Sequence, residues 1–209
     1  MQAPGLFPVE GTALSQITRP LGVATGFSVL DDFLPWQGLP TGGVTLIEGP
    51  LAPRLARRMC ARLAHPQRAV WIHSVKMRPF FQETANCFRL QVPAEADLFN
   101  VLPGILQDAA FSCVILQLSY PLNRLKALEL ARLARASHAS LVIIAKSERA
   151  LPWDLCELVI ESNEDFLSVR KAQHRPVPFW VPVEMIEVAP SPNESPVLSW
   201  WNALERVHS

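Results

Sequence analysis

The sequence has no excess of charge of either sign. Among its 209 residues, 19 Lys and Arg balance 19 Asp and Glu, and the isoelectric point is near 7.0. Tight non-specific binding to nucleic acid requires a positive field, so we expect any DNA contact to be weak or indirect. No apolar stretch approaches the roughly 18 residues that span a bilayer, and the first residues do not resemble a signal peptide. These absences predict a cytoplasmic protein without a membrane segment.

Cysteine is also scarce, and its spacing argues against the common metal motifs. The four cysteines are Cys60, Cys87, Cys113 and Cys156, and no two of them form a C-x-x-C pair. Structural zinc sites usually contain such pairs, so we do not expect a zinc site. We also expect no other metal and no cofactor. Three of the four cysteines lie in apolar runs, which predicts buried free thiols in a reducing compartment.

The apolar residues that are present suffice for one α/β domain. They make up 49% of the chain, which allows a sizeable core at this length. Residues 1–24 mix Pro, Gly and single apolar side chains and are interpreted as an N-terminal arm. Residues 25–188 are the predicted core, and 189–209 combine a Pro- and Ser-rich tether with a C-terminal docking peptide.

Apolar runs alternate with amphipathic segments through most of the core. We predict strands at 44–48, 69–75, 87–92, 111–118 and 140–145, and helices at about 54–65, 95–109 and 122–137. This alternation favours βαβ units and a mainly parallel sheet. Further strands at 158–162, 167–172 and 179–188 follow without helices, and they are predicted to be antiparallel strands that close the sheet.

A short helix is predicted between the arm and the first strand. Its apolar stripe consists of Phe27, Leu30 and Leu34. Thr25 is placed to cap the N-terminus of this helix. Asp31 and Asp32 are interpreted as exposed positions on its surface.

The central feature of the chain is the turn between the first predicted strand and the helix that follows it. In nucleotide hydrolases such a turn holds a phosphate-binding loop with the pattern G-x-x-x-x-G-K-[ST]. Gly49 and Pro50 match the start, but the second glycine, the lysine and the hydroxyl residue are replaced by Arg54, Leu55 and Ala56. The arginine crowds the space for a phosphate, and the other two lack the charge and the oxygen that phosphate and magnesium need. The turn therefore predicts a nucleotide-hydrolase scaffold without hydrolase chemistry.

The residues that lead into this turn resemble a known family. The stretch 25–50, TGFSVLDDFLPWQGLPTGGVTLIEGP, resembles the opening of the RecA recombinase core, which has a T-G pair, a short helix containing L-D, a G-L-P-x-G turn and a strand ending in G-P. Later segments resemble the family in their order and spacing. Residues 69–75 resemble its next strand, and residues 114–118 resemble its Walker B strand. Residues 140–145 resemble its sensor strand, and residues 167–181 resemble its closing hairpin. The resemblance implies a RecA-like three-layer αβα fold with a mainly parallel sheet and antiparallel closing strands.

The same resemblance reveals further losses at catalytic positions. The Walker B aspartate, which holds magnesium through its water shell, corresponds to Gln117. The family's catalytic glutamate falls near Val75 or Lys76, and neither can serve as its base. Residues 119–121 and 146–157 leave little room for the family's two DNA-binding loops. These departures imply a protein that is not an enzyme and forms no recombinase filament of the usual kind.

Inactive, shortened RecA-like proteins form known groups, and these groups suggest functions. The mutagenesis accessory proteins of the ImuA group resemble this chain in size and in their degenerate nucleotide site. That resemblance implies a DNA-damage-inducible protein of the SOS response, which supports translesion synthesis by contacting an error-prone polymerase or a recombinase. The alternatives are a division inhibitor like SulA, which is RecA-like and binds the tubulin-like division protein, or a RecA paralogue that still binds nucleotide.

Four arginines on the first long helix allow two interpretations. Arg54, Arg57, Arg58 and Arg62 fall on one side of this helix, and three of them lie in its first turns. A cation at a helix N-terminus is unfavourable by roughly 0.3–1 kcal/mol unless an anion compensates it. The first three arginines are therefore candidate anion-binding residues. The alternative is a solvated face whose aliphatic stems cover apolar surface.

Two segments outside the core are candidate protein-binding elements. Trp200, Trp201 and Leu204 are spaced for one face of a helix, which is typical of a peptide that docks into a groove. The alternative is that this end folds back onto its own core. In the arm, Ile17 lies in a possible strand at 13–17. That strand either pairs with a neighbouring molecule, giving self-association, or joins its own sheet.

Two polar features receive structural interpretations. His73 lies alone near the end of a predicted strand, and no nucleophile or acid partner can be named beside it. Glu161, Glu164 and Asp165 form a small acidic cluster on a predicted turn, where solvation is favoured over metal binding.

Overall fold

A computed structural model describes residues 22–63, 66–74, 84–108, 110–145, 150–172 and 179–183. Several sequence predictions lie outside the described residues. These are the predictions for Ile17, Val75, Lys76, Trp200, Trp201 and Leu204, together with most of the arm and all of 189–209.

Eight strands and four helices make up the described fold. The strands are β1 (Val44–Glu48), β2 (Ala69–Ser74), β3 (Cys87–Val92), β4 (Cys113–Leu118), β5 (Ser140–Ala145), β6 (Leu158–Ser162), β7 (Phe166–Ala172) and β8 (Phe179–Pro182). The helices are α1 (Ser28–Phe33), α2 (Ala52–Arg62), α3 (Glu95–Gln107) and α4 (Arg124–Ala136), and a short 3-10 helix spans Trp153–Leu155. The strands form one sheet in the order β3-β2-β4-β5-β1-β6-β7-β8. The predicted α/β class and the mainly parallel sheet are confirmed.

The centre of the sheet is buried on both faces. Every residue of β1, β2, β4 and β5 is buried, as expected for parallel strands with helices on either side. On one face, the core side chains of these strands pack with α1 and α2, for example with Leu30 and Met59. On the other face they pack with α3 and α4, for example with Leu102 and Leu130. The molecule therefore has helices, sheet and helices in three layers.

The closing strands differ from the prediction in one respect. β6 is parallel to β1, with Ile47 opposite Ile160, so the prediction of an antiparallel strand at 158–162 is wrong. β7 is antiparallel to β6, and β8 is antiparallel to β7. The physical reason lies in residues 146–157, which connect β5 to β6. A dozen residues suffice for a crossover between parallel strands, and the described part of this connection, 150–157, contains a short 3-10 turn.

The start of α1 also differs from the prediction. The residue at its N-cap is Phe27 rather than Thr25. The backbone N–H and the hydroxyl of Thr25 both donate to Asp31 Oδ1, at 2.9 and 2.7 Å. Asp31 was expected to be an exposed surface position, but it instead binds Thr25 and so holds the segment that precedes α1 against the helix. Burial raises the pKa of Asp31, and this effect outweighs the opposing effect of the hydrogen bonds from Thr25.

The cysteines are free and buried, which confirms that part of the prediction. Burial raises the pKa of Cys156 to about 12 and also raises the pKa of Cys113. Protonated, inaccessible thiols of this kind are poor nucleophiles and poor metal ligands. Within the described ranges, no cluster of three or more His, Cys, Asp or Glu side chains is arranged to hold a metal ion.

The described helices are short. The longest, α3 and α4, have 13 residues each. In the part of the chain that the structure describes, no helix has the length and apolar character needed to cross a membrane.

Candidate functional site

The turn singled out by the sequence lies at the carboxyl edge of the sheet, between β1 and α2. Gly49 follows β1 directly, and α2 begins at Ala52 rather than at about 54. The connection therefore consists only of residues 49–51. Ligands of open α/β sheets bind outside the carboxyl ends of the strands, so the turn lies where a nucleotide site would be expected.

The positions that replace the phosphate-loop residues lie inside α2 rather than in the turn. Leu55 is 5% exposed and Ala56 is fully buried, and both belong to the core between α2 and the sheet. Arg54 is half-buried in the first turn of α2, as predicted, but the helix begins two residues earlier than the predicted start at about 54. The reason is Pro53, which is preorganised for the first turn of a helix and allows the helix to start early. Neither Pro50 nor Pro53 has a backbone N–H to offer a ligand.

The backbone donors of the turn are used within the protein. The N–H of Gly49 donates to the carbonyl oxygen of Ala145, and the N–H of Leu51 donates to the hydroxyl of Ser162, both at 3.2 Å. The N–H of Ala52 turns back to the carbonyl oxygen of Gly49, also at 3.2 Å. A phosphate nest needs several N–H groups that converge on one anion. The turn is therefore closed around its own hydrogen bonds.

Ser162, at the end of β6, fastens this turn to the neighbouring strand. Its hydroxyl donates to the carbonyl oxygen of Glu48 at 2.8 Å and accepts the bond from Leu51 described above. Gly49 has a φ of +101°, and a Cβ added to it would lie 2.1 Å from the carbonyl oxygen of Ser162. Only glycine fits this position. Sequence reasoning missed Ser162, because a serine at the end of a strand has no distinctive pattern.

Gln117, which occupies the position of the Walker B aspartate, serves as a link between strands. It is 9% exposed, and its Oε1 accepts a hydrogen bond from the indole N–H of Trp71 at 3.2 Å. β2 and β4 are neighbours, with Trp71 opposite Ile115. The amide oxygen at this position is therefore used in the interior of the protein.

The arginines of α2 are half-buried, so the face that they form is partly solvated. A terminal N–H of Arg62 donates to the carbonyl oxygen of Gly26 at 3.0 Å, and the guanidinium lies 4.5 Å from the centroid of the Phe27 ring. This arginine joins α2 to the segment before α1. The remaining arginines are also half-buried, and each interacts within the protein; they are Arg54, Arg57 and Arg58. Anion binding by these three stays a prediction.

A buried acid lies on the opposite face of the sheet at the end of β1. Glu48 is 1% exposed, and its Oε1 accepts a hydrogen bond from the indole N–H of Trp153 at 3.3 Å. The ammonium of Lys171 donates to the carbonyl oxygens of Trp153, at 2.8 Å, and Cys156, which holds this loop against the sheet. Sequence reasoning missed this arrangement. The available signal was an acidic residue at the end of an otherwise apolar strand.

The two remaining polar features are His73 and the acidic cluster of Glu161, Glu164 and Asp165. His73 is 1% exposed, and its Nδ1 lies 2.9 Å from the carbonyl oxygen of Ser74. Glu161 lies in β6 rather than on a turn and forms an ion pair with Arg170, so its assignment to a solvated turn is wrong. Glu164 and Asp165 do lie exposed in the turn between β6 and β7.

Replacing Ser162 by alanine tests the closure of the turn. We expect the free energy of unfolding to fall by about 2 kcal/mol, because the substitution leaves the Leu51 N–H and the Glu48 carbonyl without their partner. The matched control is Ser168→Ala. Ser168 is equally buried, and its hydroxyl has no partner among the described residues, so the change should be neutral or slightly stabilising. Urea denaturation of both variants makes the comparison, and equal losses would contradict the role of Ser162.

No protein-family model matches the chain, and no curated protein is significantly similar to it.

The chemistry of the site follows from its geometry. At the carboxyl edge, the donors of the turn are used and an amide stands at position 117. Among the described residues, the turn after β1 therefore offers no cradle for a phosphate, and Gln117 offers no carboxylate for magnesium.

Proposed function

We propose that this protein is a non-enzymatic, RecA-like accessory protein of DNA-damage tolerance, similar to the ImuA group. It acts in SOS mutagenesis and translesion synthesis through protein contacts, in the cytoplasm and without a cofactor. The observation that carries the proposal is the closed turn at 49–51. A nucleotide-hydrolase scaffold whose phosphate turn is filled by its own hydrogen bonds retains a shape for partners to recognise but not the chemistry.

The arrangement of the strands supports the RecA-like part of the proposal. The resemblance assigns the phosphate turn to β1, the Walker B position to β4 and the nucleotide sensor to β5. These strands are adjacent and parallel, in the order β4-β5-β1. Their carboxyl ends therefore meet at one edge, as the parts of one ancestral nucleotide site would have to do.

The mechanism proposed is recognition rather than catalysis. The RecA-like surface would imitate a recombinase protomer and bind the end of a recombinase assembly or an error-prone polymerase. The C-terminal segment with Trp200, Trp201 and Leu204 would provide a second contact, and the arm with Ile17 would allow self-association. DNA contact is weak or indirect in this scheme, because the formal net charge is zero.

The test is a binding measurement with purified proteins. The intact chain is immobilised and exposed to the recombinase, each error-prone polymerase and the replicative polymerase of the same cell, with and without magnesium and ATP. We expect saturable binding to the recombinase or to an error-prone polymerase, no binding to the replicative enzyme, and no release of phosphate. Absence of binding to both classes would refute the proposal. Binding to the tubulin-like division protein instead, with filamentous cells on overexpression and an unchanged mutation frequency, would favour the division-inhibitor alternative.

A further inference from the structure

We propose that the outer face of α4, with the adjoining cavity beside α3, is a docking surface for an acidic amphipathic segment of a partner protein. The inference rests on the proposed protein-contact function and names the surface through which it acts. The docking surface is defined by four residues: Tyr120, Leu125, Lys126 and Leu128.

The outer face of α4 presents apolar side chains to solvent. Leu125 is 80% exposed, more than any other large apolar residue in the described ranges, and Leu128, one turn later, is 43% exposed. Tyr120, just before the helix, is 72% exposed. The opposite side of α4 already packs on the core through residues such as Leu130. The two leucines therefore leave apolar surface on the outer side of α4 that nothing covers among the described residues.

A cavity of about 320 Å³ lies between α3 and the start of α4, on the side of α4 that carries Lys126. Its lining includes Phe99, Tyr120 and Leu122, and Lys126 lies at its rim. The ammonium of Lys126 is 4.8 Å from the centroid of the Phe99 ring, which is a cation–π contact. A space of this size and lining suits a large apolar anchor that carries an acidic neighbour.

The mainly basic charge of α4 favours an acidic partner. Four of the five charged residues on α4 are basic, and the single acid is Glu129. Arg124 and Arg135 form ion pairs with the protein's own acids, Asp154 and Glu157. The other charged residues of α4, Lys126, Glu129 and Arg132, are exposed and carry a net charge of +1. The first turn of α4 contains no acid, although the helix dipole favours negative charge there. The Oδ1 of Asn123 already accepts the N–H of Lys126 at 2.9 Å and caps this end of the helix, so an incoming carboxylate would be attracted by the side chains of Lys126 and Arg132.

These features together fit a helix that binds through an apolar stripe. The leucines of α4 would contact the stripe, one anchor would enter the cavity, and glutamates beside it would face Lys126 and Arg132. Single-stranded nucleic acid fits less well, because its bases stack on aromatic faces, and Tyr120 is the one exposed aromatic side chain among the four residues that define the docking surface.

The experiment uses the full chain labelled with ¹⁵N and a short synthetic amphipathic helix with leucines on one face and glutamates on the other. We expect chemical-shift changes that are confined to residues 96–99 and 120–135. The double variant Leu125→Glu and Leu128→Glu should weaken binding tenfold or more, on the order of that seen when interface anchors are lost. The matched control is Trp180→Ala, which removes a side chain that is 68% exposed on β8 and should leave the affinity unchanged.

Three outcomes would overturn the docking surface: no shift changes on α4, equal binding of a peptide with lysines in place of the glutamates, or binding of a single-stranded oligonucleotide at the same residues. The proposed function is tested separately with the same double variant. If the recombinase or polymerase binds it as well as the unchanged chain, the docking surface is wrong and the function stands. If the peptide binds on α4 but neither class of protein binds the chain, the surface stands and the function is wrong.

Discussion

Replacing Gly49 by alanine is expected to lower the free energy of unfolding by about 3–5 kcal/mol. Two effects add. The φ of +101° is a conformation that residues with a Cβ rarely adopt, and the new Cβ would lie 2.1 Å from the carbonyl oxygen of Ser162. That oxygen belongs to the backbone of β6, so it cannot move aside without disturbing the pairing of β1 with β6. Urea denaturation followed by circular dichroism measures the loss.

The matched control for this substitution is Gly104→Ala. Gly104 lies in α3, its φ is not positive, and no atom lies within 4 Å of an added Cβ. Alanine should therefore stabilise the protein by about 0.5–1 kcal/mol through its better helix propensity. If Gly49→Ala changed the stability no more than Gly104→Ala, the turn after β1 would not be held against Ser162 as described.

Most of the regular structure could be predicted because burial and periodicity are local properties of the sequence. The runs at 44–48 and 140–145 are mostly apolar, and they form the buried strands β1 and β5 with the same bounds. The stripe of α1 and the buried cysteines follow from the same reasoning. The direction of β6 could not be obtained in this way, because parallel and antiparallel strands have the same composition and differ only in the path of the connection.

The candidate site was harder to predict because it depends on contacts between distant residues. The predicted helix begins at about residue 54, whereas Pro53 lets α2 start at Ala52 and shortens the turn to residues 49–51. The partner of the turn, Ser162, lies more than a hundred residues away in the sequence. Arg62 was assigned to a surface face because periodicity describes one helix, and it does not reveal that the segment before α1 covers that face.

The substitution Leu55→Lys, which restores the lysine of a phosphate-binding loop, is expected to lower the free energy of unfolding by about 3–5 kcal/mol. Leu55 is 5% exposed in the core between α2 and the sheet, so the lysine loses that packing and brings an ammonium into apolar surroundings. The matched control is Leu125→Lys on α4, where the leucine is 80% exposed and the same change should stay within about 0.5 kcal/mol. Thermal and urea unfolding of both variants compare the two positions.

The triple variant Arg54→Gly, Leu55→Lys and Ala56→Thr restores the three side chains of a phosphate-binding loop. It distinguishes a turn whose backbone donors are closed to phosphate from a turn that lacks only these side chains. A ligand present at a hundred times its Kd stabilises a protein by about 2.7 kcal/mol, which is readily seen as a rise in Tm. We expect no such rise with magnesium and ATP for the triple variant or for the unchanged chain, because the N–H groups of Gly49, Leu51 and Ala52 remain bonded within the protein. A rise of several degrees in the triple variant would mean that the turn opens to admit phosphate. The loss of chemistry would then rest on three side chains and not on the backbone. A rise in the unchanged chain would instead mean that it binds nucleotide, and a residual nucleotide-binding function would have to replace the one proposed.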